Sequence, residues 1–175
     1  MDTINYSKYL EEYSNTNGLY PEELEQIGRE YHQKGYLNKD ELYQLAHLNS
    51  TRSSYHVKKN PTARVEKVTE EAYKIDDDFC KLALYTSLKG IGVPTATAIL
   101  TSLNQAKHCV IDTRVWASLW RLDYFENEKE RFKLEDYLKI IEIVREMAEK
   151  STYNTAEIGY ALFAYDVVQR EGNLH

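Results

Sequence analysis

The chain has 175 residues, of which 42 % are hydrophobic, and a net charge of −6. That is enough chain to bury a core in one domain. No run is apolar for long enough to span a bilayer. Residues 1–8, M-D-T-I-N-Y-S-K, lack both the basic start and the apolar run of a signal peptide. Cys80 and Cys109 fit neither a disulfide framework nor a metal spacing, so a reducing cytoplasm is the expected home. The acidic total argues mildly against a nucleic-acid partner, but its distribution does not. From Ala46 to Val65 the charged side chains are Arg52, Lys58, Lys59 and Arg64, with no acid among them. The acids gather in 22–30, 70–78 and 126–149, so one face can be basic while the molecule is acidic.

Residues 1–20, with Tyr6, Tyr9 and Tyr13, read as an arm or helix set against a body spanning 21–175. Pro21-Glu22-Glu23 opens a helix with proline and acids in its first turn, and Gly35 stops it. Asn38 and Glu41 have the spacing of a capping box heading the next helix. Asn60-Pro61 reads as the cap of another, with Val65, Val68, Ala72 and Ile75 on one side. Asp76–Asp78 start a helix carrying Phe79, Leu82, Leu84 and Leu88. Leu134, Leu138, Ile141, Val144 and Ala148 form one stripe over 133–150, and Asn154 to Glu157 caps a last helix that ends near Gly172. No alternating run reads as a strand. The expected fold is all-α, a compact domain of about eight or nine helices.

The most informative stretch is L-K-G-I-G-V-P-T-A-T-A, from Leu88 to Ala98. Gly90 and Gly92 permit positive φ and close backbone approach, Ile91 pins the turn inward, and Pro94 pre-forms the following helix. Small residues behind them let two helices pack closely. This is a helix-hairpin-helix, built around Lys89, Gly90, Ile91, Gly92, Val93 and Thr95. Its bare amides suit a phosphate and read no sequence. Asp112 follows in V-I-D-T-R-V-W. A carboxylate beside a phosphate anchor could stabilise the positive charge that develops on a sugar as its glycosidic bond breaks. As Asp-Thr-Arg-Val, the same residue would also cap a helix.

Residues 84–122 resemble the core of the helix-hairpin-helix DNA glycosylase superfamily (HhH-GPD), the group of endonuclease III, adenine glycosylase and 8-oxoguanine glycosylase. There an L-P-G-V-G hairpin precedes V-D-T-H or V-D-V-H at near-constant distance, as L-K-G-I-G precedes V-I-D-T-R here. The resemblance implies that Asp112 is the catalytic acid. It also implies that the partner is double-stranded DNA bearing a damaged or modified base. Trp116 is similar in placement to the tryptophan of V-D-V-H-M-W in the 8-oxoguanine enzymes. Strand-cutting relatives carry a lysine two residues after the second hairpin glycine, where this chain has Pro94. Proline has no amine for a Schiff base, which implies a monofunctional enzyme without lyase activity. No cysteine follows Cys109, so no iron–sulfur cluster is expected, and no other cofactor. Arg114 stands where the family often has histidine.

The histidines show no zinc spacing, so no metal site is expected from side chains. The resemblance does imply a monovalent cation held by hairpin carbonyls such as those of Lys89 and Ile91. Arg52, Lys58 and Arg114 join the hairpin as candidate DNA contacts, and the stretch 49–56 as a loop meeting the backbone. An extruded base needs aromatic faces. With 15 tyrosines in the chain, stacking partners are plentiful; Tyr55, Trp116, Trp120 and Phe163 are the candidates, though core packing is the better reading for each one alone. Two other readings fit the sequence: a DNA-binding module without catalysis, and a helical protein–protein interaction domain.

Overall fold

A computed structural model describes residues 4–17 and 21–171. Among them are nine α-helices, one 3₁₀ segment and no strand. The helices are α1 (Tyr6–Asn17), α2 (Glu22–Lys34), α3 (Lys39–Asn49), α4 (Thr62–Lys74), α5 (Asp78–Thr86), α6 (Val93–Leu103), α7 (Thr113–Arg121), α8 (Leu134–Glu149) and α9 (Thr155–Glu171). A 3₁₀ turn, Ser54–Lys59, links α3 to α4. No described helix is long and apolar enough to cross a membrane.

The helix ends follow their local chemistry. Gly35 closes α2 at φ 77°, its amide donating to the Tyr31 carbonyl, a backbone shape that glycine adopts without strain. Asn38 and Glu41 exchange both bonds of a capping box, and Asn154 and Glu157 do the same ahead of α9. The expected end of α9 near Gly172 lies outside the described residues, as do 1–3 and 18–20 of the N-terminal stretch. One cap differs from expectation. Helix α4 begins after Pro61 with no side chain capping it. The Asn60 amide is turned away to a partner far along the chain.

Helix α6 is the axis of the molecule and packs against α2, α3, α5 and α8. Its Ala96, Thr97, Ile99, Leu100, Thr101 and Leu103 are all buried, which explains why it is built of small and β-branched residues. Leu37, Leu42, Leu82, Tyr85, Ile111, Tyr137 and Ile158 complete the main core around it. Helix α9 carries the second layer, touching α1, α7 and α8. The connection 104–112 runs between the layers. It is tied to α9 where Thr155 donates to the Ala106 carbonyl at 2.7 Å and Ala156 to the Gln105 carbonyl at 3.0 Å.

Candidate active site

The bend between α5 and α6 is a glycine-cornered hairpin. Gly90 has φ 85°, and a Cβ there would lie 2.7 Å from the Ser53 carbonyl oxygen and 2.8 Å from the Val57 nitrogen. The hairpin therefore sits directly on the 3₁₀ turn. Asn60 clasps the two together: its amide donates to the carbonyls of Lys89 (3.0 Å) and Val57 (2.9 Å), and its oxygen accepts from the Lys89 amide at 2.9 Å. Ile91 is buried and pins the bend. Gly92 is exposed at the start of α6, where no side chain caps the first turn, so the positive end of the helix dipole and the Val93 amide lie toward the surface there, while Thr95, expected among the DNA contacts, is buried. The Thr95 side chain itself is buried and accepts from the Asn49 amide at 3.3 Å.

Two features that are separate in the sequence thus form one surface. Arg52, Lys58 and Lys59 of the 3₁₀ region and Lys89 of the hairpin are all exposed. Lys58 lies 4.1 Å over the Tyr43 ring and Lys59 5.5 Å over Tyr55, which is itself 64 % exposed. Cations interleaved with aromatic rings beside an uncapped helix start suit a phosphodiester backbone. The Lys89 carbonyl, expected to hold a monovalent cation with that of Ile91, already accepts from Asn60. No group of three or more histidine, cysteine or carboxylate side chains among the described residues could hold a metal ion.

Asp112 is the N-cap of α7, with one carboxylate oxygen accepting from the Val115 amide at 2.8 Å. The residue before it is fixed to α6: the Thr97 hydroxyl accepts from the Ile111 amide at 3.0 Å and donates to the Pro94 carbonyl at 2.8 Å. On the other side Gly159 of α9 packs so closely that a Cβ would meet the Cys109 Cβ at 2.8 Å. Asp112 opens into a cleft of about 220 Å³ between the two layers, walled by Tyr13, Asn49, Ser102, Tyr160 and Phe163. Burial pushes the Asp112 carboxyl above the ordinary aspartate range. The Val115 and Arg114 amides and the Arg114 charge pull it back, and the Asp166 carboxylate adds to the rise.

Of the four aromatic candidates, the structure brings only Phe163 to this cleft. Trp116 is buried elsewhere, stacked on Phe125 at 4.0 Å, with its indole N–H donating to the Asn127 carbonyl at 2.8 Å. Trp120 lies on the outer side of α7 against the Arg121 guanidinium at 5.4 Å. Tyr55 belongs to the hairpin surface. Arg114 is turned from the hairpin toward the buried Asp166 at 3.4 Å and lies 5.5 Å over the Phe163 ring. Asp166 also takes Arg121 (3.3 Å) and Arg170 (2.7 Å). Tyr13 and Tyr160, absent from the sequence-based candidates, are the rings that do face Asp112. They stack on each other at 4.6 Å with 18° between planes, and Phe163 meets Tyr13 edge-on at 5.7 Å.

Among solved structures, one in complex with DNA superposes on nearly the whole chain. It is the Methanocaldococcus jannaschii 8-oxoguanine glycosylase/lyase bound to a 15mer containing 8-oxoguanine. The match covers 98 % of this chain and 84 % of that one, with a TM-score of 0.52 and 17 % identity. The fold is that of a DNA glycosylase. No protein-family profile and no curated protein matches the chain. The likeness therefore lies in the path of the backbone, and the chemistry has to be argued from the side chains above.

Proposed function

We propose that this chain binds duplex DNA through the hairpin surface and excises a damaged or modified base by hydrolysis at Asp112. The observation that carries this reading is the placement of Asp112. It is a partly desolvated carboxylate, fixed by the same helix whose N-terminus forms the phosphate anchor, and it opens into an aromatic cleft. The M. jannaschii protein of the same fold, held in complex with lesion-bearing DNA, supports it.

In this reading the backbone rests on the Gly92 and Val93 amides and on Arg52, Lys58 and Lys89, while the extruded base enters the cleft. One Asp112 oxygen stays engaged with the Val115 amide. The other faces the sugar. The bond between C1′ and the base nitrogen breaks with its electron pair leaving on the base, and the carboxylate stabilises the cation at C1′. Water adds to C1′, and its proton passes through Asp112 to the departing base. A carboxylate that burial makes more basic than an ordinary aspartate is a better acceptor in that relay. Pro94 offers no amine, so no Schiff base forms at that position and the strand stays intact.

The test is release of free base from duplexes carrying uracil, hypoxanthine, 8-oxoguanine or an alkylated adenine. One member of the panel should lose its base with wild type. Asp112→Asn should slow that release by about 10²–10³-fold while leaving duplex binding intact. Full activity in Asp112→Asn removes Asp112 from the chemistry. Salt-sensitive duplex binding without base release from any member would instead support a binding module, a reading favoured by the Tyr13–Tyr160 stack that fills part of the cleft.

A further inference from the structure

One wall of the cleft, with Tyr13, belongs to α1, whose principal helix contact is α9 alone. It packs on α9 and on the connection before it through a file of rings: Tyr6 on Tyr153 of that connection at 5.8 Å, Tyr9 edge-on to Tyr165 at 5.3 Å, and Tyr13 on Tyr160 at 4.6 Å. Only Tyr9 of its 12 residues is buried. The apolar cluster that holds it centres on Tyr9, Ala161 and Ala164, apart from the main core. A helix of this length has little stability of its own, so its position depends on these ring contacts. Tyr160 is held more firmly, since its neighbour Gly159 is packed against Cys109 of the main core.

At 4.6 Å and nearly parallel, the Tyr13 and Tyr160 rings leave no gap for a third ring between them. A base entering above Asp112 must therefore separate them. We propose that Tyr13 is the residue on which the extruded base stacks, and that α1 is the wall it displaces, so that Tyr13 exchanges its contact with Tyr160 for one with the base. The inference rests on the glycosylase reading and adds to it a residue and an element that select the substrate. Entry gives up the Tyr13–Tyr160 stack, so the cleft is closed in the free protein and admits only a base that stacks on Tyr13 better than Tyr160 does. Selection then favours bases that stack well and are already loosely held in the duplex. Among the described residues lining the cleft there is no lysine, arginine or histidine. The lining thus offers nothing to an anion, and the phosphates stay outside on the hairpin.

The experiment measures affinities of Tyr13→Ala, Tyr13→Phe and wild type for three duplexes, each protein carrying Asp112→Asn to prevent turnover. One duplex is fully matched, one carries the member of the lesion panel that wild type binds best, and one carries an abasic-site analogue at that position. Thermal unfolding confirms that each variant is folded. Tyr13→Ala should lose about five- to tenfold in affinity for the lesion duplex alone, and Tyr13→Phe should keep the wild-type value. An equal loss on all three duplexes, or an undiminished preference for the lesion in Tyr13→Ala, overturns the proposal. If the Asp112→Asn parent grips no duplex, or all three alike, the glycosylase reading itself fails, and this inference with it.

Discussion

Gly90 and Gly92 are two residues apart in one bend, yet their replacement by alanine should do different things. At Gly90 the backbone is left-handed, φ 85°, and a Cβ would press on two main-chain atoms of the 3₁₀ turn at 2.7 and 2.8 Å. The left-handed conformation costs an alanine about 1–2 kcal/mol, and a close contact with backbone that cannot rotate away costs about 1–3 kcal/mol more. Gly90→Ala should therefore lower the unfolding midpoint by roughly 5–15 °C in a domain of this size. At Gly92 the backbone is an ordinary extended N-cap, φ −88° and ψ 178°, and the nearest atom to a Cβ is Pro94 Cδ at 4.0 Å. Gly92→Ala should cost only a few tenths of a kcal/mol to about 1 kcal/mol, the difference between the two residues as caps. Its methyl would, however, stand where a phosphate approaches the Val93 amide on the proposed reading. The assay pairs a thermal melt with duplex binding at two salt concentrations. Gly90→Ala should be unstable, and Gly92→Ala stable but weakened on DNA. A Gly90→Ala protein melting within a degree of wild type would refute the packing of hairpin on turn. A Gly92→Ala protein binding DNA as wild type does would refute the phosphate seat.

Asp112→Asn should raise stability near neutral pH, because asparagine caps a helix as well as aspartate does and no charge remains to be desolvated. The folded-state pKa of Asp112 is raised, so wild type regains stability as pH falls through that pKa, and the difference between the two proteins, followed by urea unfolding, should close on acidification; a constant gap would contradict it. His108 behaves in the opposite sense: burial, the largest effect, lowers its pKa from 6.5 to about 4, and its ring accepts or donates at 2.9 Å to the buried Tyr137 hydroxyl. Below pH 6.5 the unfolded chain takes a proton that the folded one refuses, so stability should fall by about 3 kcal/mol between pH 6.5 and 4, and His108→Asn should flatten that limb of the urea-unfolding profile.

What the sequence made legible is what depends on near neighbours. The capping boxes at Asn38 and Asn154, the stop at Gly35 and the left-handed Gly90 are each decided within four residues, and each is found in place. The Asp112 cap was likewise readable from Asp-Thr-Arg-Val. Asn60 shows where such reading fails. Its spacing before Pro61 and Thr62 looked like a helix cap, but a partner 29 residues on, the Lys89 backbone, competes for the same amide and holds it. Trp116 fails for a related reason: the spacing after Asp112 suggested a base-facing ring, but on α7 that position points inward onto Phe125 and Phe132. The rings that do line the cleft, Tyr13 and Tyr160, come from opposite ends of the chain. Among so many tyrosines nothing local marks those two, because their role arises only when α1 lies on α9.

The separation of these parts in sequence bears on how the site keeps its geometry. A phosphate anchor and a carboxylate on different loops would move independently, and misplacement by about an ångström can cost on the order of 10²-fold in rate. Here a single helix holds both. The first turn of α6 forms the proposed anchor, and one turn further on the Thr97 hydroxyl is bonded to the Pro94 carbonyl of that same turn and to the Ile111 amide beside Asp112. Thr97 is fully buried, so neither bond competes with water. From the far side Gly159 holds the same connection at contact distance through Cys109. The carboxylate is thus clamped between α6 and α9, while the ring above it belongs to α1, which touches neither α6 nor the hairpin among the principal helix contacts. On the proposed reading this gives the reacting groups a rigid frame and the extruded base a wall that yields, and in this fold that division follows from which helix each residue occupies.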